Sequence, residues 1–302
     1  MSVTEVPSTV VERLPARSRP AGEPAVRLRG GAVRFGDREL WGGLDLDVAP
    51  GEFLAVLGPN GSGKTTLLKV LLGLQRLTRG EVTVGGLIPR RGNPRVGYVP
   101  QQKGFDRDLP IRGRDLVRLG LDGHRLGTAL PSRAARAKVD DAIAAVGATA
   151  YADAPIGRLS GGEQQRLRIA QALLGDPEVL LCDEPLLSLD LRHQQEVSAL
   201  IDRRRAEAGS AVLFVTHEVN PVLPLVDRIL YLVGSRWTVG TPDEVLSSER
   251  LSDLYGTDID VVRVRGRVLV VGGRDAAHHE TGDHRHHHAD DPPDDHGRPG
   301  RS

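Results

Sequence analysis

The chain has a single cysteine and a single methionine among its 302 residues, and aromatic side chains make up only 3%. A lone thiol, Cys182, cannot form an internal disulfide, which fits a reducing compartment. No apolar run approaches the ~20 residues needed to cross a bilayer. The first residues lack an apolar signal core, because Val10 and Val11 are followed at once by Glu12 and Arg13. The expectation is a cytoplasmic, soluble chain; if it works at a membrane, another polypeptide must supply the span. Charge of one sign is missing too: Lys plus Arg and Asp plus Glu each number 40, so the formal net charge is zero. That removes the electrostatic case for nucleic acid as a partner. The length is ample for a buried core, in one large domain or two small ones.

Composition divides the chain in three. Residues 1–24 are rich in Pro, Arg, Ser and Glu and poor in large apolar groups, so they read as a disordered leader. Residues 25–272 alternate short apolar strands with helical patterns, which argues for an α/β domain. Residues 273–302 are His, Asp, Pro and Gly with almost nothing apolar, a second disordered segment. No internal repeat is present at solenoid or propeller spacing. Within the domain, Glu52 to Leu57 reads as a buried strand, and Lys64 to Leu74 as a helix apolar on nearly every face. Pro131 to Val146 reads as an Ala-rich surface helix. Val179 to Cys182 and Ala211 to Val215 suit central parallel strands, and Val261 to Val264 with Val268 to Val271 suit a closing hairpin split near Gly266.

The Gly-rich loop between that first strand and helix carries chemistry. Gly58-Pro59-Asn60-Gly61-Ser62-Gly63-Lys64-Thr65 fits G-x-x-x-x-G-K-[ST], with Thr66 next along the helix. Glycines let backbone N–H groups turn inward around phosphate oxygens, and the helix that follows aims its positive end at the same anion. Lys64 would reach the β- and γ-phosphates, and the Thr65 hydroxyl would ligate Mg²⁺. Val179-Leu180-Leu181-Cys182-Asp183-Glu184 is an apolar strand that delivers Asp183 to the Mg²⁺ shell, with Glu184 placed to polarise the attacking water. Cys182 reads as packing, since a buried thiol behaves as a small hydrophobe. Ser160-Gly161-Gly162-Glu163 is a capping box opening a helix toward Leu174. A capped N-terminus with glycines beside it is also an anion site, and capping alone leaves Gly161-Gly162, a poor helix start, unexplained.

Together, the phosphate loop, the Asp183-Glu184 strand end and Leu159-Ser160-Gly161-Gly162-Glu163 resemble the nucleotide-binding subunits of ABC (ATP-binding cassette) transporters, over nearly all of Ala25 to Gly240. The resemblance implies a P-loop NTPase fold with a RecA-like core, an antiparallel β subdomain and a helical subdomain. It implies ATP hydrolysis with Mg²⁺ held by Thr65, Asp183 and Gln101. Phe35 matches the aromatic that stacks on adenine, with a core aromatic as the rival reading. Gln101 matches the glutamine that touches Mg²⁺ and senses the membrane subunit, with Gln102 as an adjacent competitor. Ser160 and Gly162 would contact the γ-phosphate bound to a second copy, Asp190 would lie on the loop between the two sites, and His217 would be the switch histidine. Leu186-Leu187 departs from the small or hydroxylated residues common in relatives, which bears on the packing of the Asp190 loop. The segment Phe105 to Leu119 would dock a separate integral-membrane permease, and the subunit would sit on the inner face of the membrane.

The cargo is addressed by two features. The tail holds His278, His279, His284, His286, His287 and His288 among carboxylates. Imidazole with carboxylate suits Zn²⁺, Ni²⁺ or Co²⁺ better than Mn²⁺, and the absence of Cys argues against a closed structural zinc module. Interruption by Glu, Asp and Arg sets the tail apart from a purification tag, and a solvated tail that binds metal incidentally is the rival reading. Second, Glu218-Val219-Asn220-Pro221-Val222-Leu223-Pro224 resembles the zinc/manganese uptake branch of the family. The resemblance implies import of zinc, or manganese, with an extracytoplasmic metal-binding protein in the same system. The alternatives are another cargo, or a soluble ABC ATPase that transports nothing, of which the Fe–S assembly type is the hardest to separate.

Overall fold

The computed structural model describes residues 22–101, 104–122, 132–187 and 189–272. Residues 1–21 of the leader, the histidine tail, Gln102, Pro131 and Ser188 lie outside the described residues. In chain order the elements are β1 (Val26–Phe35), β2 (Arg38–Val48), β3 (Phe53–Leu57), α1 (Lys64–Leu71), β4 (Arg79–Val84), β5 (Val96–Val99), α2 (Gly113–Asp122), α3 (Arg133–Ala145) and α4 (Gly161–Leu173). Then follow β6 (Val179–Asp183), α5 (Leu191–Ala208), β7 (Ala211–Val215), β8 (Arg228–Val233), β9 (Arg236–Gly240), α6 (Pro242–Val245), α7 (Ser248–Tyr255), β10 (Ile259–Val264) and β11 (Arg267–Gly272).

A six-stranded sheet in the order β5-β6-β7-β3-β8-β9 forms the centre, parallel except for β9. Its inner strands are buried on both faces, which is why β3, β6 and β7 are continuous apolar runs. Alternate residues feed two cores. Leu54, Val56, Leu181 and Leu213 pack with α1 and with the antiparallel sheet β2-β1-β4 on one side. Phe53, Ala55, Leu180, Cys182 and Phe214 pack toward α2–α5, α7 and the closing hairpin on the other. Helices α2, α3 and α4 pack on one another as a helical unit.

Two elements differ from their sequence reading. Helix α1 stops at Leu71, because Gly73 takes a left-handed φ of 69° and a Cβ there would meet the Arg90 backbone at 2.6 Å. It also leaves Thr65 and Lys69 exposed, while Leu67, Leu68, Val70 and Leu71 are buried and fasten the helix to the sheet at roughly 1.5–3 kcal/mol per large side chain. Helix α3 is only partly a surface helix, since Val139, Ala142 and Ile143 are buried against the helical unit. The closing hairpin forms as expected: β10 pairs β11 across Arg265-Gly266, both at positive φ (49° and 76°), the requirement of a type I′ turn.

Candidate nucleotide site

Ligands of parallel α/β sheets sit beyond the carboxyl ends of the strands, and the register brings four such ends together here. Strand β6 lies beside β7 with Asp183 opposite Val215, β7 lies beside β3, and β5 runs beside β6 with Val99 opposite Cys182. The phosphate loop therefore leaves β3 next to Asp183-Glu184 leaving β6, His217 leaving β7 and Gln101 leaving β5. A cavity of about 350 Å³ is lined by Gly61, Lys64, Thr65, Gln101 and Glu184 among others. A second, of about 630 Å³, shares Asn60, Gln101 and Glu184 with it and adds Gly58, Pro59 and His217.

The loop can be built only from glycine at its turning points. Gly58 has φ 139°, and a Cβ there would stand 2.0 Å from the Leu232 carbonyl oxygen. Gly63, the N-cap of α1, has φ 95°, and a Cβ would meet Trp41 Nε1 at 2.8 Å. Lys64 curls over the loop, Nζ donating to the Gly58 and Pro59 carbonyl oxygens at 2.6 and 2.9 Å. Burial pulls its pKa below the usual lysine value, opposed by the charges of Glu184 and Asp183. Ser62 Oγ is buried with no hydrogen-bond partner. An orphaned hydroxyl and a lysine over a glycine cradle suit an anion with several acceptor oxygens.

The oxygens beside the loop suit a hard cation. Thr65 Oγ1 donates to Asp183 Oδ1 at 3.2 Å, and the Gln101 side chain lines the same cavity as Thr65. Burial raises the Asp183 pKa, and the nearby Glu184 charge adds to it, while hydrogen bonds from Thr65 and Tyr98 work the other way. A divalent cation on these oxygens would relieve that cost, and Mg²⁺ takes such carboxylate, hydroxyl and amide ligands.

Glu184 and His217 form a pair, with His217 Nδ1 2.8 Å from Glu184 Oε2. Glu184 is one of three described non-glycine residues at positive φ, at 49°, and its amide donates to the Val215 carbonyl oxygen at 3.0 Å. A glutamate in this sparsely populated region is strained, and the bond to the end of β7 holds it there. Its side chain is 12% exposed and the imidazole 56% exposed, so the pair bridges the protein wall and the cavity. A carboxylate of this kind can orient a water, and the imidazole can hold the acid in place and donate to an oxyanion.

The remaining candidates lie apart. Phe35 ends β1 at 51% exposure, which removes the core reading, and its pairing partner Arg38 reaches the phosphate loop through Nη2 to the Gly61 carbonyl oxygen at 3.2 Å. Ser160 is the N-cap of α4 in a complete capping box: Glu163 Oε2 accepts from the Ser160 amide and hydroxyl, each at 2.8 Å. None of Ser160, Gly161, Gly162 or Glu163 lines either cavity. Nor does the chain's own packing demand glycine at 162, where a Cβ would stand 3.4 Å from His193, an ordinary contact. Asp190 is the N-cap of α5, and Oδ1 accepts from the His193 amide at 2.9 Å. That bond and the His193 ring hold its pKa below the ordinary carboxylate value.

Sequence reasoning missed several residues in and around the site. Tyr98 hydroxyl donates to Asp183 Oδ2 at 3.4 Å, and its own pKa is pushed up to about 12 by burial and by that carboxylate. A tyrosine in a short apolar strand, three residues before Gln101, was the available signal. Trp41 behind Gly63, and Tyr231, Tyr255 and Val270 in the larger cavity, carry no motif and are placed only by tertiary packing.

The ABC transporter family profile matches residues 42–187. The Zinc import ATP-binding protein ZnuC of Roseobacter denitrificans is 35% identical over 232 residues, covering 77% of this chain and 84% of that protein. Its namesake from Alkalilimnicola ehrlichii is 38% identical over 248 residues, covering 82% and 88%. Among solved structures, a metal-chelate type ABC transporter in an inward-facing conformation superposes with a TM-score of 0.72 at 26% identity, covering 84% of this chain and 99% of that one. The ADP-bound cassette MJ1267 superposes at 0.69 and 20% identity, a likeness of fold.

Proposed function

The chain belongs to the ABC transporter family, as one of its ATP-hydrolysing, ATP-binding subunits, and on that premise we propose that it powers import of a divalent metal ion, zinc first and manganese second. The observation that carries the ATPase half is the convergence of the phosphate loop, Asp183, Glu184, Gln101 and His217 at neighbouring strand ends. The cargo is supported by relatives named as zinc import ATP-binding proteins and by a structural neighbour of the metal-chelate type.

The site works as half of a whole. Lys64 and the loop amides hold the phosphates of ATP, and Thr65, Asp183 and Gln101 would hold Mg²⁺, whose chemistry would be to neutralise charge on the phosphoryl group. Glu184 orients water in line with the γ-phosphate, and His217 steadies Glu184 and the phosphate oxygens. Ser160 and Gly162 stand outside their own chain's cavities, so in this reading they close the site of a second copy, with Asp190 between the two sites. ATP then glues the pair, and hydrolysis releases it. No helix among the described residues is long and apolar enough to cross a membrane; in this reading a separate permease supplies the path, docked on the segment Phe105 to Leu119. The subunit sits on its cytoplasmic face, and an extracytoplasmic metal-binding protein delivers cargo from outside. The tail imidazoles His278 to His288 are offered as ligands for the same class of ion on the inner side.

Two experiments test this. Glu184→Gln is expected to leave ATP binding intact, abolish turnover and accumulate a dimer with ATP, read by light scattering. Normal turnover in that variant removes Glu184 from the water-orienting role. Deletion of the gene is expected to lower cell zinc under scarcity, measured by elemental analysis; unchanged zinc and manganese would refute the cargo.

A further inference from the structure

The segment after His217 is fastened to the far end of the chain. Asn220 turns its carboxamide to the open edge of β11: Nδ2 donates to the Val268 carbonyl oxygen at 3.0 Å, and Oδ1 accepts from the Val268 amide at 2.8 Å. One side chain thus stands in for a neighbouring strand, satisfying both backbone groups of that residue. The other edge of the hairpin is clasped from α7. Ser252 Oγ accepts from the Ile259 amide at 2.9 Å and donates to its carbonyl oxygen at 3.3 Å, while Ser248 Oγ accepts from the Val261 amide at 2.9 Å. Between the clasps, Ile259 and Val268 are each 4% exposed and share a core with Val219, Val222 and Leu225.

The hairpin also reaches the nucleotide site. Val270, two residues beyond the clamp and on the same face of β11, lines the cavity of about 630 Å³ that also holds Glu184 and His217, and Tyr255 at the end of α7 lines it as well. The His217 ring is 56% exposed, so side-chain packing does little to fix it, and its position comes from the backbone. On one side that backbone is tied to β3, through the Thr216 amide to the Val56 carbonyl oxygen at 3.2 Å. Thr216 also closes a local turn, accepting from the Glu218 amide at 3.1 Å. On the other side the first long-range tie is the Asn220 clamp.

We propose that the β10–β11 hairpin is a working wall of the ATP site, and that Asn220, acting through Val268, is a positioning residue that sets where His217 stands against Glu184. The proposal rests on the ATPase reading above and adds to it a residue and an element that the nucleotide motifs do not include. With the clamp cut, the loop keeps its tie to β3 and the buried Val219 and Val222, but loses its first long-range hydrogen bonds on the C-terminal side of His217. The imidazole then samples positions away from the 2.8 Å contact with Glu184. Misplacement on the scale of an ångström at reacting groups costs up to ~100-fold in rate.

The test is steady-state Mg-ATP hydrolysis by the full-length chain in a double-mutant cycle. Asn220→Ala is expected to lower kcat by about tenfold or more while KM for ATP stays within about twofold, because the phosphate loop is untouched. Combined with His217→Ala, it is expected to cost nothing beyond His217→Ala alone, since one acts through the other. A general loosening of the fold would multiply the two losses. Asn220→Asp keeps the volume and the acceptor but faces the Val268 carbonyl oxygen without a donor, so it carries the same expectation if the alanine variant does not fold. The proposal is overturned by wild-type kcat in these variants, by multiplying losses in the double variant, or by a His217→Ala variant that turns over normally. A wild-type chain that does not hydrolyse ATP would instead strike the ATPase reading itself, and the proposal with it.

Discussion

The cap that Ser160 makes and the second role proposed for it can be separated by substitution. In its own chain it caps α4, its hydroxyl accepting from the Glu163 amide at 3.4 Å and donating to Glu163 Oε2 at 2.8 Å. In the proposed pair it faces the γ-phosphate held by the other copy. Ser160→Ala removes both hydroxyl bonds but leaves the Ser160 amide bonded to Glu163. The accepted bond is long, so the loss falls near the middle of the ~0.5–2 kcal/mol range for caps, about 1 kcal/mol. For a domain of this size that is a fall of roughly 2–4 °C in Tm. Ser160→Asn is the informative partner. Asparagine caps as well as serine, and its amide can still donate to Glu163, so Tm is expected to stay within about 1 °C. Its bulk and altered donor geometry would intrude on the neighbour's phosphate, where loss of one well-aimed donor costs about 100-fold in turnover. In a Glu184→Gln background, Ser160→Asn should also return the ATP-bound dimer to single chains while a fluorescent ATP analogue still binds with unchanged affinity. Calorimetry, a phosphate-release assay and light scattering read the three quantities. If Ser160→Asn turns over at the wild-type rate, or the double variant still pairs with ATP, the capped turn serves only its own helix and the shared-site argument fails.

Two further outcomes follow from the site. Gly58→Ala places a methyl 2.0 Å from the Leu232 carbonyl oxygen at φ 139°, so the loop must open; nucleotide affinity should drop by at least tenfold, measured by equilibrium binding, and unchanged affinity would show that the loop tolerates another course. Asp190 has its pKa held below the ordinary value near 4, first by the His193 amide and then by its ring. A depressed carboxylate contributes stability that is fully present above its unfolded pKa and is lost as pH falls through the folded value. Asp190→Asn keeps the cap without the charge, so Tm for wild type minus variant should shrink steadily as pH is lowered from about 5 to 2; a difference that does not change with pH would refute the assignment.

What could be read from the chain followed the reach of each physical signal. Buried parallel strands announce themselves as unbroken apolar runs, so Val179 to Cys182 and Ala211 to Val215 were placed without tertiary information. The phosphate loop and the capping box are local in sequence and were legible for the same reason. The end of α1 was overrun because the apolar pattern continues through Leu72 and Leu74, while the stop lies in the left-handed turn at Gly73 against Arg90. Tyr98 on Asp183, Trp41 behind Gly63 and Asn220 on Val268 are contacts between segments far apart in the chain, and no spacing rule encodes them.

The proposed division of the site into two halves is argued from the same topology. A parallel sheet offers its ligand only the edge where strands end, and four of those ends already carry the loop, Gln101, Asp183-Glu184 and His217. Helix α4 belongs to the helical unit, packed on α2 and α3 through Leu167 and its neighbours, so its N-terminus cannot swing to that edge without breaking a core. Yet Ser160 and Gly161 are exposed, and Gly162 has room for a side chain that the sequence does not use. In the proposed pair, the room at Gly162, with a second glycine beside it at a cost in helix propensity, lets a partner approach the backbone closely. The proposed function supplies that partner: the phosphate oxygens held by a second copy, an anion that a capped helix end attracts.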